Sequence, residues 1–146
     1  MAQSTLNNPI SVKMLDHVVI RAKNASALVA FYRDIIGCPV ERKLPDEKGL
    51  TQLRAGTALI DIIAVESELG RLGGASPSAD GHNMDHFCLT IDSVSEQDLI
   101  MFLKENGVRC RGFSERYGAE GYGRSLYIKD PEGNTLELKL AVSSQD

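Results

Sequence analysis

Two histidines and two carboxylates stand out because each lies in a short stretch of otherwise apolar residues. His17 and His86 open the stretches HVVI and HFCL, and an aspartate precedes each. Asp61 interrupts the aliphatic run ALIDIIA, and Glu137 interrupts TLELKL. Burying a carboxylate costs several kcal/mol unless it is paired or bound to a cation. Two imidazoles and two carboxylates suit a divalent Zn, Ni, Co, Mn or Fe ion, with positions left for water or substrate.

Each of these residues also has a simpler interpretation. A single strand histidine is most often a hydrogen-bonded core residue. Glu137 can pair with Lys139 or Arg124, and Asp61 can be an exposed strand residue. The duplicated order of histidine and acid along the chain is what favours one shared metal site.

The elements that must hold these residues also repeat. Each copy starts with an Asp-His pair and an apolar stretch, and an amphipathic helix follows that ends at Gly37 or Gly107. Three strand-like stretches come after each helix. They span residues 39–44, 50–54 and 58–65 in the first copy, and 109–113, 125–129 and 135–140 in the second. We therefore predict an α+β fold of two tandem βαβββ modules.

Glycine- and serine-rich stretches divide the chain. Residues 1–13 are predicted to be an N-terminal extension, and residues 14–141 a single domain. Within it, module one spans 14–66, the linker 67–82 and module two 83–141. The segment from Ser114 to Arg124 contains three glycines, and we predict a mobile loop there that covers a site.

Composition narrows the class of protein. The chain has 146 residues, 42% of them hydrophobic and 25% charged, as in an ordinary globular domain. Its net charge is -4 and its basic residues are scattered, so we expect neither nucleic acid nor a membrane as partner. The start of the chain lacks a signal-like apolar core, and we expect a cytoplasmic protein. Cys38, Cys88 and Cys110 are predicted to be reduced core thiols.

The motifs DHVVI, AFYRDIIG, DHFCL and DPEGNTLEL, taken together, resemble the vicinal oxygen chelate superfamily, from about residue 14 to 140. That superfamily includes lactoylglutathione lyase, fosfomycin-resistance thiol transferases and extradiol dioxygenases. The resemblance implies that the two modules curve into a half-barrel around a metal, often within a homodimer.

The resemblance also assigns residues. His17, His86 and Glu137 match metal ligands of the family, and Asp61 lies where lactoylglutathione lyase has a glutamate ligand. Substrate-binding positions also have counterparts here: Arg21 matches an arginine that binds the glutathione carboxylate, and Ser125 and Tyr127 match the S-x-Y of the fosfomycin enzymes. Val65 and Val19 replace an asparagine and a threonine that those two groups use.

We expect a metal-dependent isomerase or lyase that stabilises an enediolate of a small oxygen-chelating substrate, with a glutathione hemithioacetal as the candidate. Glu137 is the expected general base, and Asp61 a ligand or second base. Two alternatives remain open: a metal-dependent thiol transferase of the fosfomycin-resistance type, and a non-catalytic drug-binding protein.

Overall fold

The computed structural model describes residues 8–142. Its first half contains β1 (His17–Ala22), α1 (Ala25–Ala30) continued by a π-helical segment (Phe31–Ile36), β2 (Val40–Lys43), β3 (Leu50–Ala55) and β4 (Ala58–Ala64). A short helix, α2 (Glu68–Arg71), lies in the predicted linker. The second half contains β5 (His86–Ile91), α3 (Glu96–Glu105), β6 (Ser114–Gly118), β7 (Gly121–Lys129) and β8 (Thr135–Leu140).

The strands form two four-stranded sheets of identical topology. Their strand orders are β1-β4-β3-β2 and β5-β8-β7-β6. In each sheet the edge strand that begins with the histidine, β1 or β5, pairs in parallel with the strand that contains the carboxylate, β4 or β8. Val19 lies opposite Asp61, and Cys88 lies opposite Glu137. Because side chains two residues apart in a strand point to the same face, His17 shares a face with Val19 and Asp61, and His86 shares a face with Cys88 and Glu137. The predicted α+β fold of tandem βαβββ modules is confirmed.

Alternation along the strands separates a core face from an open face. Ile20, Ile60 and Ile62 of the first sheet and Leu126 and Leu136 of the second are at most 1% exposed. Their neighbours on the other face carry the polar residues. Helix α1 and the π-helical segment pack their apolar residues into the same core, and the π-helical segment ends where Gly37 adopts a left-handed conformation with φ of 91°.

Hydrogen bonds connect module one to the β7–β8 turn of module two. The Tyr32 hydroxyl donates to Asp130 Oδ2 over 2.8 Å in the buried interior. Asp130 Oδ2 also accepts from Asn134 Nδ2 at 2.8 Å. The backbone amides of Lys23 and Asn24 donate to the Glu132 carboxylate at 2.7 and 3.1 Å. The two modules thus share a polar connection beside the common core.

Two expectations about the second module are wrong. The predicted strand 109–113 has no strand structure, and the predicted mobile loop from Ser114 to Arg124 is a hairpin of β6 and the first part of β7. Two of the three glycines lie close to Lys139 in this hairpin: a methyl group on Gly118 would lie 2.7 Å from Lys139 Nζ, and one on Gly123 would lie 3.0 Å from Lys139 Cε. The third, Gly121, adopts a left-handed conformation with φ of 89° in the turn.

Residues 1–7 of the predicted N-terminal extension lie outside the described residues, and residues 8–13 are exposed without helix or strand. No helix in the described part of the chain is long and apolar enough to span a membrane. The domain boundaries and the cytoplasmic location stay predictions.

Replacing Tyr32 by phenylalanine should lower the free energy of unfolding by about 1–2 kcal/mol, because a buried acceptor on Asp130 loses one of its donors. Urea unfolding measures this change. Tyr122→Phe is the matched control, since Tyr122 is 68% exposed and its loss should change stability by less than about 0.5 kcal/mol. Equal stabilities for the two variants would contradict the proposed role of the Tyr32 hydroxyl.

Candidate metal centre

The open face of the second sheet brings His86 and Glu137 together. Glu137 is only 6% exposed, and its Oε1 lies 3.3 Å from His86 Nε2. The Nδ1 atom of the same imidazole lies 2.5 Å from Asp85 Oδ2. When Nδ1–H donates to that aspartate, Nε2 presents its lone pair to the open face, the arrangement a metal-binding histidine needs.

Two further side chains surround the Glu137 carboxylate, one from each neighbouring strand. The Cys88 thiol of β5 and the Tyr127 phenol of β7 lie opposite Glu137 in the strand pairing, one on each side. Partial loss of water around the thiol, with the nearby charge of Glu137, raises the pKa of Cys88 to about 11, and the same causes raise the pKa of Tyr127. Both groups are therefore protonated at neutral pH beside the carboxylate. The Tyr127 ring also meets the His86 ring edge-on at 5.6 Å between centroids.

Cys88 corrects the prediction that all three cysteines lie in the core. All three are free thiols, but Cys38 is buried, Cys110 is half-buried and Cys88 is exposed. The alternation of β5 explains the difference, because Cys88 shares the face of His86 whereas Phe87 and Leu89 face the core.

The first sheet repeats this arrangement with different chemistry. Asp61 is 4% exposed, and its Oδ2 accepts from Gln52 Nε2 at 3.0 Å. Gln52 lies opposite Asp61 in the strand pairing, as Tyr127 lies opposite Glu137. The other oxygen, Asp61 Oδ1, is buried without a hydrogen-bond partner. An orphaned carboxylate oxygen in a buried strand is an acceptor that a cation would satisfy.

His17 is held in the same way as His86. Its Nδ1 lies 2.7 Å from Asp16 Oδ2. This hydrogen bond raises the pKa of His17 above its usual value, and the negative charge of Asp61 adds to the effect. The repeated Asp-His pair in the sequence thus orients both imidazoles through their Nδ1 atoms.

The four predicted ligands have the chemistry that a divalent cation needs, but within one chain they lie in two separate pairs. His17 with Asp61 and His86 with Glu137 each offer one imidazole nitrogen and one carboxylate, a set suited to Zn, Ni, Co, Mn or Fe. Within residues 8–142, no three His, Cys, Asp or Glu side chains converge closely enough to hold a metal. The four predicted ligands therefore form two separate pairs on two sheets.

Arg21, predicted to bind substrate, forms hydrogen bonds to the backbone of the linker. Its guanidinium donates to the carbonyls of Gly70, Gly74 and Ala75 at 3.2, 2.5 and 3.0 Å. Only its buried Nε has no partner. Gly73 packs directly against the guanidinium, where a side chain would collide with it. In this conformation Arg21 closes the linker over β1.

Ser125, another predicted substrate-binding residue, is fully buried and its Oγ has no hydrogen-bond partner. It lies opposite Lys139, which is 4% exposed and donates from Nζ to the Gly121 carbonyl at 2.5 Å. Tyr127, by contrast, is half-exposed and contacts the candidate metal centre directly. Of the two S-x-Y residues, only Tyr127 is shown in contact with a predicted ligand.

Sequence reasoning missed Gln52, placed Cys88 in the core, and left Asp16 and Asp85 without a role. A signal for the aspartates was present, since both histidines follow one. Gln52 and Tyr127 carry no shared sequence signal, because an amide and a phenol occupy equivalent positions and only the strand register shows the equivalence.

Comparison with known proteins agrees with this architecture. The family model described as the Glyoxalase/Bleomycin resistance protein/Dioxygenase superfamily matches residues 14–138. The chain belongs to this superfamily. The resemblance inferred from the sequence motifs is thereby confirmed.

Individual relatives are more distant. Virulence protein STM3117 of Salmonella typhimurium is 28% identical over 134 residues, covering 90% of this chain and 86% of the relative. The mitochondrial methylmalonyl-CoA epimerase of Mus musculus is 25% identical over 131 residues, covering 87% of this chain and 72% of the epimerase. The structure of lactoylglutathione lyase from Agrobacterium tumefaciens superposes with a TM-score of 0.63 at 20% identity, covering 92% and 96% of the two chains. The superfamily thus includes enzymes.

Gln52→Leu should weaken divalent metal binding by about tenfold, because the Asp61 carboxylate loses the donor that orients it. Titration of the purified protein with Mn or Co measures the affinity. Gln97→Leu removes an exposed glutamine on α3 and should leave the affinity unchanged. If Gln52→Leu also binds as tightly as the wild type, Gln52 does not orient a ligand.

Asp16→Asn should lower the pKa of His17, because the raised value depends first on the hydrogen bond to that carboxylate. As pH rises through this pKa the imidazolium loses its proton, so the neutral form of the variant will appear at lower pH. NMR titration of the metal-free protein reads this directly. Asp46→Asn, which removes an exposed acid near Lys43, should not move the His17 titration.

Proposed function

We propose that this protein is a metal-dependent isomerase or lyase of the glyoxalase type, acting on a small substrate with adjacent oxygen atoms. The orphaned, buried Oδ1 of Asp61 is the observation that carries the proposal. The matched His86 and Glu137 pair, 3.3 Å apart on the second sheet, supports it. Two buried carboxylates facing an open surface are costly unless a cation completes them.

His17, Asp61, His86 and Glu137 would hold the cation. A divalent ion bound there supplies Lewis-acid stabilisation of negative charge that develops on a substrate oxygen. The residues of the chain position the substrate and move its proton. Glu137 is the proposed base, because it is nearly buried on the substrate face between the Cys88 thiol and the Tyr127 phenol of the two neighbouring strands. Asp61 is held by an amide without an exchangeable acidic proton, and we assign it the role of ligand.

We further propose that the complete centre forms in a homodimer, with the His17 pair of one chain and the His86 pair of its partner. The presence of two half-sites within one chain supports this assembly. A mixed dimer tests it. One chain carries His17→Ala and Asp61→Asn, and the other carries His86→Ala and Glu137→Gln. Shared sites predict one intact centre per mixed dimer, and therefore half the metal content and half the activity of the wild type. Sites within one chain predict no intact centre in the mixed dimer.

The thiol-transferase alternative depends on Ser125 and Tyr127 as substrate contacts. The unpartnered Oγ of Ser125 favours a ligand at that position. Consumption of a thiol with an epoxide substrate would select this alternative. A drug-binding protein would bind its ligand without any metal and turn over neither substrate.

Glu137→Gln should reduce turnover by about 100-fold or more, because an amide cannot accept the substrate proton. The assay follows α-proton exchange in D2O with the methylglyoxal–glutathione hemithioacetal and with methylmalonyl-CoA, using protein loaded with Ni, Co, Zn or Mn. Glu120→Gln, at an exposed position in the β6–β7 turn, should keep full activity. Proton exchange on neither substrate with any of these metals would contradict the assigned reaction class, while metal analysis reports on the site independently.

A further inference from the structure

A large cavity opens where the second module departs from the first. Strand pairing between β6 and β7 begins only at Ser114 and Ser125, so the edge of β7 beyond Ser125 has no neighbour in β6. The chain from 107 to 112 runs clear of that edge, and a cavity of about 1090 Å³ lies between them. Its volume is at the upper end of small-molecule sites and suits a ligand larger than a simple metabolite.

The charge of this cavity is entirely positive. Lys104, Arg109, Arg111, Arg116 and Lys129 line it, and no aspartate or glutamate of the described chain does. The whole sequence has 16 basic and 20 acidic residues, so a lining of five basic residues and no acidic one differs from the composition of the protein. None of the five forms an ion pair with a carboxylate of residues 8–142.

Tyr127 connects the cavity to the candidate metal centre. It lines the cavity, lies opposite Glu137 in the strand pairing, and its ring meets the His86 ring edge-on. Arg116 extends over the Tyr127 ring, with its guanidinium carbon 5.8 Å from the ring centroid. A ligand occupying the cavity would therefore pass Arg116 and Tyr127 before reaching the carboxylate.

We propose that this cavity binds a phosphate-bearing arm of the substrate, whose reactive end lies at Glu137. Three of the five cations are arginines, which bind phosphate oxygens through two parallel hydrogen bonds. Five unpaired cations exceed what one or two carboxylates would neutralise, whereas an arm with several phosphates matches them. The position of the reactive end rests on the proposed function, but the binding of the arm does not.

The experiment uses full-length protein without added metal and measures binding calorimetrically, with coenzyme A as the phosphate probe and glutathione as a carboxylate probe. Wild type should bind coenzyme A, with an affinity that falls as salt is raised. The variant Arg109→Gln/Arg111→Gln should bind it at least about tenfold more weakly, because two charge-assisted contacts are lost. The control Arg33→Gln/Lys43→Gln removes the same charge from exposed positions in module one and should keep wild-type affinity.

Three outcomes would overturn the inference: no binding of coenzyme A to wild type, equal weakening in both double variants, or tighter binding of glutathione. Circular dichroism and urea unfolding establish that both variants fold. Binding of coenzyme A is measured without metal and without turnover. The failure of the proposed reaction would therefore not affect the binding result, and the failure of binding would not affect the test of the reaction. With metal restored, the cavity variant should raise KM for a coenzyme A thioester more than it lowers kcat.

Discussion

Two nearly buried carboxylates impose the main constraint on this protein. Asp61 and Glu137 are 4% and 6% exposed, in strands whose opposite faces form the core. A charge removed from water must be compensated, and each sheet does so from both sides of the acid strand. The parallel neighbour brings the histidine, and the antiparallel neighbour places the Gln52 amide opposite Asp61 and the Tyr127 phenol opposite Glu137. For Asp61 this compensation is incomplete, since Oδ1 has no partner.

The two modules place different side chains beside their buried carboxylates, and this difference supports the different roles proposed for Asp61 and Glu137. The Asp61 carboxylate is held by the amide of Gln52, which fixes the position of the carboxylate and exchanges no proton with it. The Glu137 carboxylate lies between a phenol and a thiol, whose raised pKa values keep both protonated at neutral pH. A carboxylate flanked by neutral groups and open to the substrate face suits a proton-moving role. Each half therefore carries a histidine and a carboxylate, and the two halves differ at the positions of Gln52, Cys88 and Tyr127, which supports the proposed division into a ligand and a base.

Features of the fold and site that depend on residues close in sequence could be predicted, and those that depend on contacts between residues distant in sequence could not. The tandem modules and the histidine–acid pairs were predictable because periodicity and repetition are local in sequence. The Gln52 and Cys88 contacts depend on strand register, which a one-residue shift would reverse, and no local pattern records it. The three glycines of the hairpin at 114–124 suggest a loop in the sequence, but two of them lie against Lys139, a residue distant in sequence, and Gly121 forms the turn. The segment 109–113 leaves the edge of β7, and composition alone does not indicate which edge stays unpaired.

The departures from the repeat are where specificity is expected. The proposed cation would need similar donors from both modules, and the equivalent strands β1, β4, β5 and β8 carry a histidine and a carboxylate in each. A substrate is asymmetric and needs contacts that the two modules do not share. The unpaired edge of β7 and the segment 107–112 have no counterpart of equal size in module one, and they gather cations in a protein of net negative charge. The long-range attraction this creates acts on the same end of the site as Tyr127, so a polyanionic substrate would be drawn in beside the carboxylate assigned as base.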